Sequence, residues 1–282
     1  FTMPFLIQCL AGVHTGKMQF QTPYEIWDGS KQSKIKKSWK RTEKGIDRLI
    51  EFLTGTVKWN SIQWIPSMNA LIPLIYTLSF KRFNSRERKR ARKWLLLTSA
   101  YASFSGRGWQ TLDTYIRKLA TSDRSYVDKL WNTTRKSLPE IKPDFFTTRR
   151  AVGAAMSLYV SMLRDAGAKD WINRTELSGN VIGYNANLEV HHFFPQSLLR
   201  KKGYPTEMIN TFANYVILSK DSNLNISDEE PIMYIDRLRI RKKDLDDQCI
   251  PEDRNFWKVE KYKKFLAERR KLLARRSNEF LG

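Results

Sequence analysis

The chain has 282 residues, with 50 Lys and Arg against 29 Asp and Glu, a net charge of +21 and a pI near 10.0. Hydrophobic residues at 41% and aromatics at 12% exclude a disordered tail, and the basic excess selects a polyanionic partner, for which nucleic acid is the economical choice. Two cysteines, Cys9 and Cys249, with no CxxC pair exclude a disulfide framework and a zinc ribbon and fit a reducing cytoplasm, while no stretch reaches the ~18 apolar residues of a membrane span.

The chain opens on Phe1-Thr-Met-Pro, which predicts a fragment or processed product with a domain upstream. Phe1 to Ala11 is apolar and reads as a helix, and Pro23 with Asp28-Gly29-Ser30 marks a turn. His14, alone between Gly12 and Gly16, reads as a loop residue. Lys31 to Lys44 carries seven basic residues and one acid, a basic approach to an amphipathic helix marked by Ile46, Leu49, Ile50 and Leu53. Trp59, Trp64 and Ile65 precede Pro66, and Ala70 to Phe80 then reads as an apolar helix with Pro73 near its start; all of this is expected to be core.

Lys81 to Lys93 holds eight basic residues and one acid. It is the first candidate phosphate-contact patch, with Arg86, Arg88, Lys89 and Arg90 at its centre. Ser105-Gly-Arg-Gly108 lacks the Lys-Ser/Thr ending of a phosphate-binding loop, so nucleotide binding is not expected there. Leu112, Tyr115, Ile116 and Leu119 mark a further helix, and Leu130-Trp131 continues the pattern after a break at Ser122-Asp123. Leu138 to Pro143, with two prolines, is the expected linker, which divides the chain into a helical domain 1–142 and a second domain 143–282. Arg149 to Asp165 then reads as a helix with Val152, Met156, Tyr159 and Leu163 on one face.

Leu188-Glu-Val-His-His-Phe-Phe-Pro-Gln-Ser197 and Thr211-Phe-Ala-Asn-Tyr-Val-Ile-Leu-Ser-Lys-Asp-Ser-Asn223 follow. Leu188 to His191 is an alternating strand, Pro195 and Gly203 punctuate a long loop, Tyr215 to Leu218 is a second strand, and Ser219 to Ser227 begins a helix. That is a β-loop-β-α unit. Neighbouring residues of a strand point to opposite faces, so His191 and His192 have different jobs, one free to bind a metal and the other to face a substrate. Asn223, entering the helix, can bring an amide oxygen to the same metal. Asn214, before the second strand, is placed to brace the loop.

These residues resemble the ββα-metal core of HNH endonucleases. Pro195-Gln-Ser-Leu-Leu199 is also similar to the HNH domain of RNA-guided Cas nucleases. The histidine pair with its downstream proline, taken with Asn225-Ile-Ser-Asp-Glu-Glu-Pro231-Ile-Met-Tyr234, resembles most the C-terminal nuclease domain of GmrSD-type and Ssp-type modification-dependent restriction proteins. The strong resemblance runs from Leu188 to Tyr234. It implies His191 and Asn223 as metal ligands, His192 as general base and Asn214 as a structural residue. It implies Mg2+ as the cofactor, and the histidine ligand admits Mn2+ or Ni2+. It also implies a double-stranded DNA substrate, phage DNA among the targets, and an upstream NTPase or modification-sensing domain or subunit.

Downstream, Glu230 to Arg241 reads as a helix opened by Pro231. Asn255 to Leu281 reads as a long helix with Tyr262, Phe265, Leu266, Leu272 and Leu273 inward and a basic remainder, of which Lys264 and Arg269 are candidate DNA contacts. The expected fold is mainly α-helical with a small ββα-metal (HNH) core in the C-terminal half. The expected function is metal-dependent nicking of DNA in a prokaryotic restriction or anti-phage system, in the cytoplasm and without a membrane. Two alternatives stay open: a DNA-binding or assembly module with a degenerate HNH fold, which binds after chelation, and a ribonuclease with the same catalytic residues.

Overall fold

The structure, a computed structural model, describes residues 1–19, 28–59, 62, 65–105, 108–121, 125–135, 139–147, 153–177, 188–226 and 228–281. The expected turn at Pro23, Trp64, the centre of Ser105–Gly108, the Ser122-Asp123 break, Leu138, Arg149 to Val152 and Ser227 lie outside them. The chain is mainly α-helical with one small antiparallel sheet. It divides into unit 1, Phe1–Pro139, and unit 2, Glu140–Gly282.

Unit 1 is built around a helix that is apolar on nearly every side. α1 (Met3–Thr15) ends at Gly16, whose φ of 71° supplies the left-handed cap that returns its N–H to Gly12 O. α2 (Gln32–Phe52) takes in both the basic approach and the amphipathic segment of the sequence, as one helix. Its Ile50 is 46% exposed, contrary to the expectation of core. α2 crosses α3 (Ile72–Phe80) at Gly45, where a Cβ would stand 2.3 Å from Ser79 Oγ and 2.8 Å from Ile75 O, so only a missing side chain allows the approach. α3 buries Ile72 through Ser79. α4 (Ser85–Ala100) starts with a capping box between Asn84 and Glu87 and ends in the core with Trp94, whose indole N–H donates to Thr134 Oγ1 at 2.7 Å. α5 (Gly108–Ala120) and α6 (Tyr126–Arg135) complete the unit.

In unit 2, α7 (Ala154–Asp165) is buried along most of its length. β1 (Leu188–His192) is one residue longer than the sequence predicts. The segment after it, expected to be loop, contains two short helices, α8 (Gln196–Lys201) and α9 (Thr206–Ile209). β2 (Tyr215–Ser219) leads directly into α10 (Lys220–Ile226). The helix predicted to reach Arg241 is α11 (Pro231–Arg237), because Arg239 turns left-handed (φ 50°) and Ile240 N–H returns to Ile235 O. α12 (Lys242–Asp247), which has no counterpart in the sequence reading, ends the same way at Cys249 (φ 56°). Both are Schellman endings with a non-glycine residue in the left-handed place. The long C-terminal helix α13 begins at Tyr262 and runs to Leu281, since Arg254–Trp257 and Val259–Lys261 are separate 3-10 turns. Its apolar face closes the core, with the Phe265 ring stacked on Phe193 at 4.8 Å.

Candidate functional site

β1 and β2 pair in antiparallel register, with His191 opposite Val216 and His192 opposite Tyr215. A two-stranded sheet leaves each strand one unpaired edge, and unit 2 finishes that of β2 with side chains. Gln248, fully buried beside the end of α12, donates from Nε2 to Ile217 O and accepts from Ile217 N–H, both at 2.8 Å. Asp170, also fully buried, accepts from Ser219 N–H at 2.7 Å, from the N–H groups of Ile172 and Asn173, and from the Ser222 hydroxyl. Ser219 in turn caps α10 by accepting from Ser222 N–H. The end of β2 and the start of α10 are thus fixed by one buried carboxylate.

Asn214 is fully buried. Its amide accepts from Phe194 N–H at 2.9 Å and donates to Phe194 O and Ile209 O, which ties the segment after β1 to the turn before β2. Asn223 is half-buried on α10 and donates from Nδ2 to Glu189 Oε2 at 3.2 Å, leaving its own Oδ1 for other use. Glu189 and His191 alternate to the same face of β1, so Glu189, His191 and Asn223 converge on one side of the sheet.

The two histidines have different surroundings. His191 Nε2 is buried and, among the described residues, has no hydrogen-bond partner. Burial, followed by the nearby His192 charge, pushes the His191 pKa down to about 4, so the ring is neutral with a lone pair to offer. His192 Nε2 lies 3.0 Å from Asn210 Oδ1, an oxygen that can only accept. Gln196 Nε2 stands 3.1 Å from the same Nε2 and 3.3 Å from Nδ1, so an amide oxygen and an amide N–H both address the ring, and its tautomer sets which of them it answers. Gln196 also donates to Asn210 Oδ1 at 3.3 Å, and the edge of the Tyr215 ring closes the other side. Burial lowers the His192 pKa first; the Asn210 contact raises it and the Arg200 charge lowers it further.

Sequence reasoning located His191, His192, Asn214 and Asn223 and missed Glu189, Asp170, Gln196, Asn210 and Gln248. Gln196 was on view as part of Pro195-Gln-Ser197, four residues after His192. Nothing local marks Gln248 or Asp170, whose partners lie 31 and 49 residues away.

The proposed DNA contacts fare unevenly. Arg269 is a correction: it is fully buried, donating to Ala213 O and Gln248 O, so it holds the core and reaches no ligand. Arg90 is half-buried and paired with Asp128. Arg86, Arg88, Lys89 and Lys264 are exposed, Arg88 also donating to Phe83 O.

Among the described residues, no group of three or more His, Cys, Asp or Glu is arranged to hold a metal, and no helix is long and apolar enough to cross a membrane. An amide-containing ligand set lies outside the first of these statements, because Asn223 is not one of those residue types. No protein-family model matches the chain, and no curated protein matches it.

Proposed function

We propose that unit 2 is a ββα-metal nuclease that nicks DNA by hydrolysing a phosphodiester, with His192 as the general base. One observation carries the reading: a buried imidazole nitrogen with no partner, His191 Nε2, stands on a strand pair that leads straight into the helix bearing Asn223. A buried polar nitrogen left without a partner is costly unless something binds it. His191 Nε2, Asn223 Oδ1 and the Glu189 carboxylate are one nitrogen and two oxygen donors, a set that fits a hard or borderline divalent cation. A Mg2+ or Mn2+ ion there would supply Lewis acidity to the phosphate and its leaving oxygen.

The chain's own residues supply the remainder. The neutral His192 ring takes the proton from the attacking water, and Asn210 Oδ1, 3.0 Å from Nε2, accepts from the imidazolium that results. Asn214 and Asp170 keep the two histidines and Asn223 in register, because each bridges one strand end to its neighbour. A single site of this kind cuts one strand per encounter.

The test is conversion of supercoiled plasmid to open circles with Mg2+ or Mn2+, against EDTA, His192→Ala and Asn223→Ala. Metal-dependent circles lost in both variants support the reading. Plasmid that is bound yet stays intact with every metal sinks it, and cleavage of RNA with DNA untouched moves it to a ribonuclease.

A further inference from the structure

The two units share the basic residues equally and the acidic ones unequally. Residues 1–139 hold 25 Lys and Arg against 9 Asp and Glu, a net +16; residues 140–282 hold 25 against 20, a net +5. Most of the polyanion attraction therefore belongs to the unit that lacks the strand pair.

Within unit 1 the two basic runs differ in what surrounds them. In the run from Lys81 to Lys93, Lys81 bonds Glu87 at 2.7 Å, Arg82 lies 3.7 Å from Glu51, Arg90 pairs with Asp128, and Lys93 sits over the Trp131 ring. Half of that run's eight charges are thus engaged by neighbours, while Arg86, Arg88 and Lys89 are exposed. On α2, Lys34, Lys36, Lys37, Lys40 and Lys44 are all exposed. The ion pairs found among the described residues of this unit involve Lys31, Lys81, Arg82, Arg90 and Arg117, and none of these five lysines.

The buried side of α2 is Ser38, Thr42, Gly45, Leu49 and Phe52. Helical spacing puts Lys37, Lys40 and Lys44 on three successive turns of the opposite side, about 5 Å apart along the axis, with Arg41 beside them. Stability of the helix does not ask for them there. Like charges three and four residues apart on one helix repel, and among the described residues no ion pair offsets these three. Their chemistry also narrows the partner. No large apolar residue is exposed between Lys34 and Lys44, so nothing on this face inserts into a lipid surface. Compact ammonium groups evenly spaced meet phosphates as point charges and do not read base edges.

We propose that the lysine face of α2 grips the phosphate backbone of a nucleic-acid duplex without regard to sequence. The inference needs no chemistry at His192 and survives or fails apart from the nuclease reading.

The test uses the full chain in EDTA and a short labelled DNA duplex of random sequence, with binding measured against salt. Lys37→Gln/Lys40→Gln/Lys44→Gln is compared with Lys81→Gln/Arg82→Gln/Arg90→Gln, which removes the same charge from the ion-paired side chains of the other run. Each lost phosphate contact takes about 0.9 from the log–log salt slope, so the α2 variant should lose about 3 and the other less than 1. Lysine-to-arginine substitution at the same three α2 positions should keep the slope, and circular dichroism should show all three variants helical as in the parent. Equal losses in the two Gln variants would mean a bulk charge effect and overturn the proposal. So would an unchanged slope for the α2 variant, or a loss confined to binding of phosphatidylglycerol vesicles.

Discussion

Both units bury polar groups, but they satisfy them in different ways. In unit 1 most are hydroxyls that bond a carbonyl of their own helix one turn back: Thr42 to Ser38, Thr77 to Pro73, Ser79 to Ile75, Thr98 to Trp94 and Thr134 to Leu130. Asp113, which accepts from Met18 and Gln19 N–H, Ser38, which bonds His14, and Thr134, which also meets Trp94 and Tyr115, reach other elements. Unit 2 has one such hydroxyl, Ser161 to Ser157, but adds buried amides and charges that bridge elements far apart in sequence, as Asp170, Asn214, Gln248 and Arg269 do. A hydroxyl bonded to its own helix adds little to tertiary geometry, so the shape of unit 1 rests on packing. A buried bridging amide allows one arrangement and penalises every other, which is what a reacting group needs.

The contrast can be broken at several points. The largest effect belongs to His192→Ala, which should lower cleavage by about 100-fold or more while leaving duplex affinity unchanged; a parallel loss of binding would mean that the two properties are not separate. Next comes Asp170→Ala, which strands the N–H groups of Ser219, Ile172 and Asn173 and should cost about 3 kcal/mol or more. Thr77→Val in unit 1 removes one hydroxyl and its bond to Pro73 O, and about 1 kcal/mol is expected. Hydrogen exchange would report both, with faster exchange in β2 and α10 for the first and little change in α3 for the second. Equal costs would erase the distinction.

Acid supplies the third test. The pKa of His191 is depressed in the folded chain, so its contribution to stability is full above the unfolded value of about 6.5 and is lost as pH falls from there toward about 4. The whole interval corresponds to about 3 kcal/mol, and His191→Phe should flatten the pH dependence of the melting of unit 2. The smallest effect is on the rate profile. A lowered His192 pKa places the acid limb of cleavage below the ordinary histidine value, and Arg200→Gln, by removing a charge that lowers it, should move that limb to higher pH. A shift to lower pH would exclude Arg200 as a neighbour of the base.

Local patterns made much of this legible. The alternation around His191, the strand at Tyr215 and the apolar spacing in α3, α5 and α13 are short-range signals, and the elements appear where those signals fall. What escaped depends on distance in sequence. Gln248 pairs with β2 as a third strand would, yet no periodicity announces it. The helix opened by Pro231 stops short of Arg241 because Arg239 occupies a backbone conformation that sequence assigns to glycine, as Cys249 does after the unpredicted α12. Arg269 was placed with its basic neighbours on α13 because charge is visible in a sequence and burial of charge is not.

The side chains that complete β2 have a consequence for assembly. An open strand edge is a template on which another chain can extend the sheet, and proteins guard such edges against one another. With both backbone groups of Ile217 held by Gln248 and the Ser219 N–H by Asp170, β2 has no N–H at either residue to lend to a visiting strand. That edge therefore offers two copies of this chain little on which to join their sheets, and a pairing of copies would have to be made elsewhere on the surface.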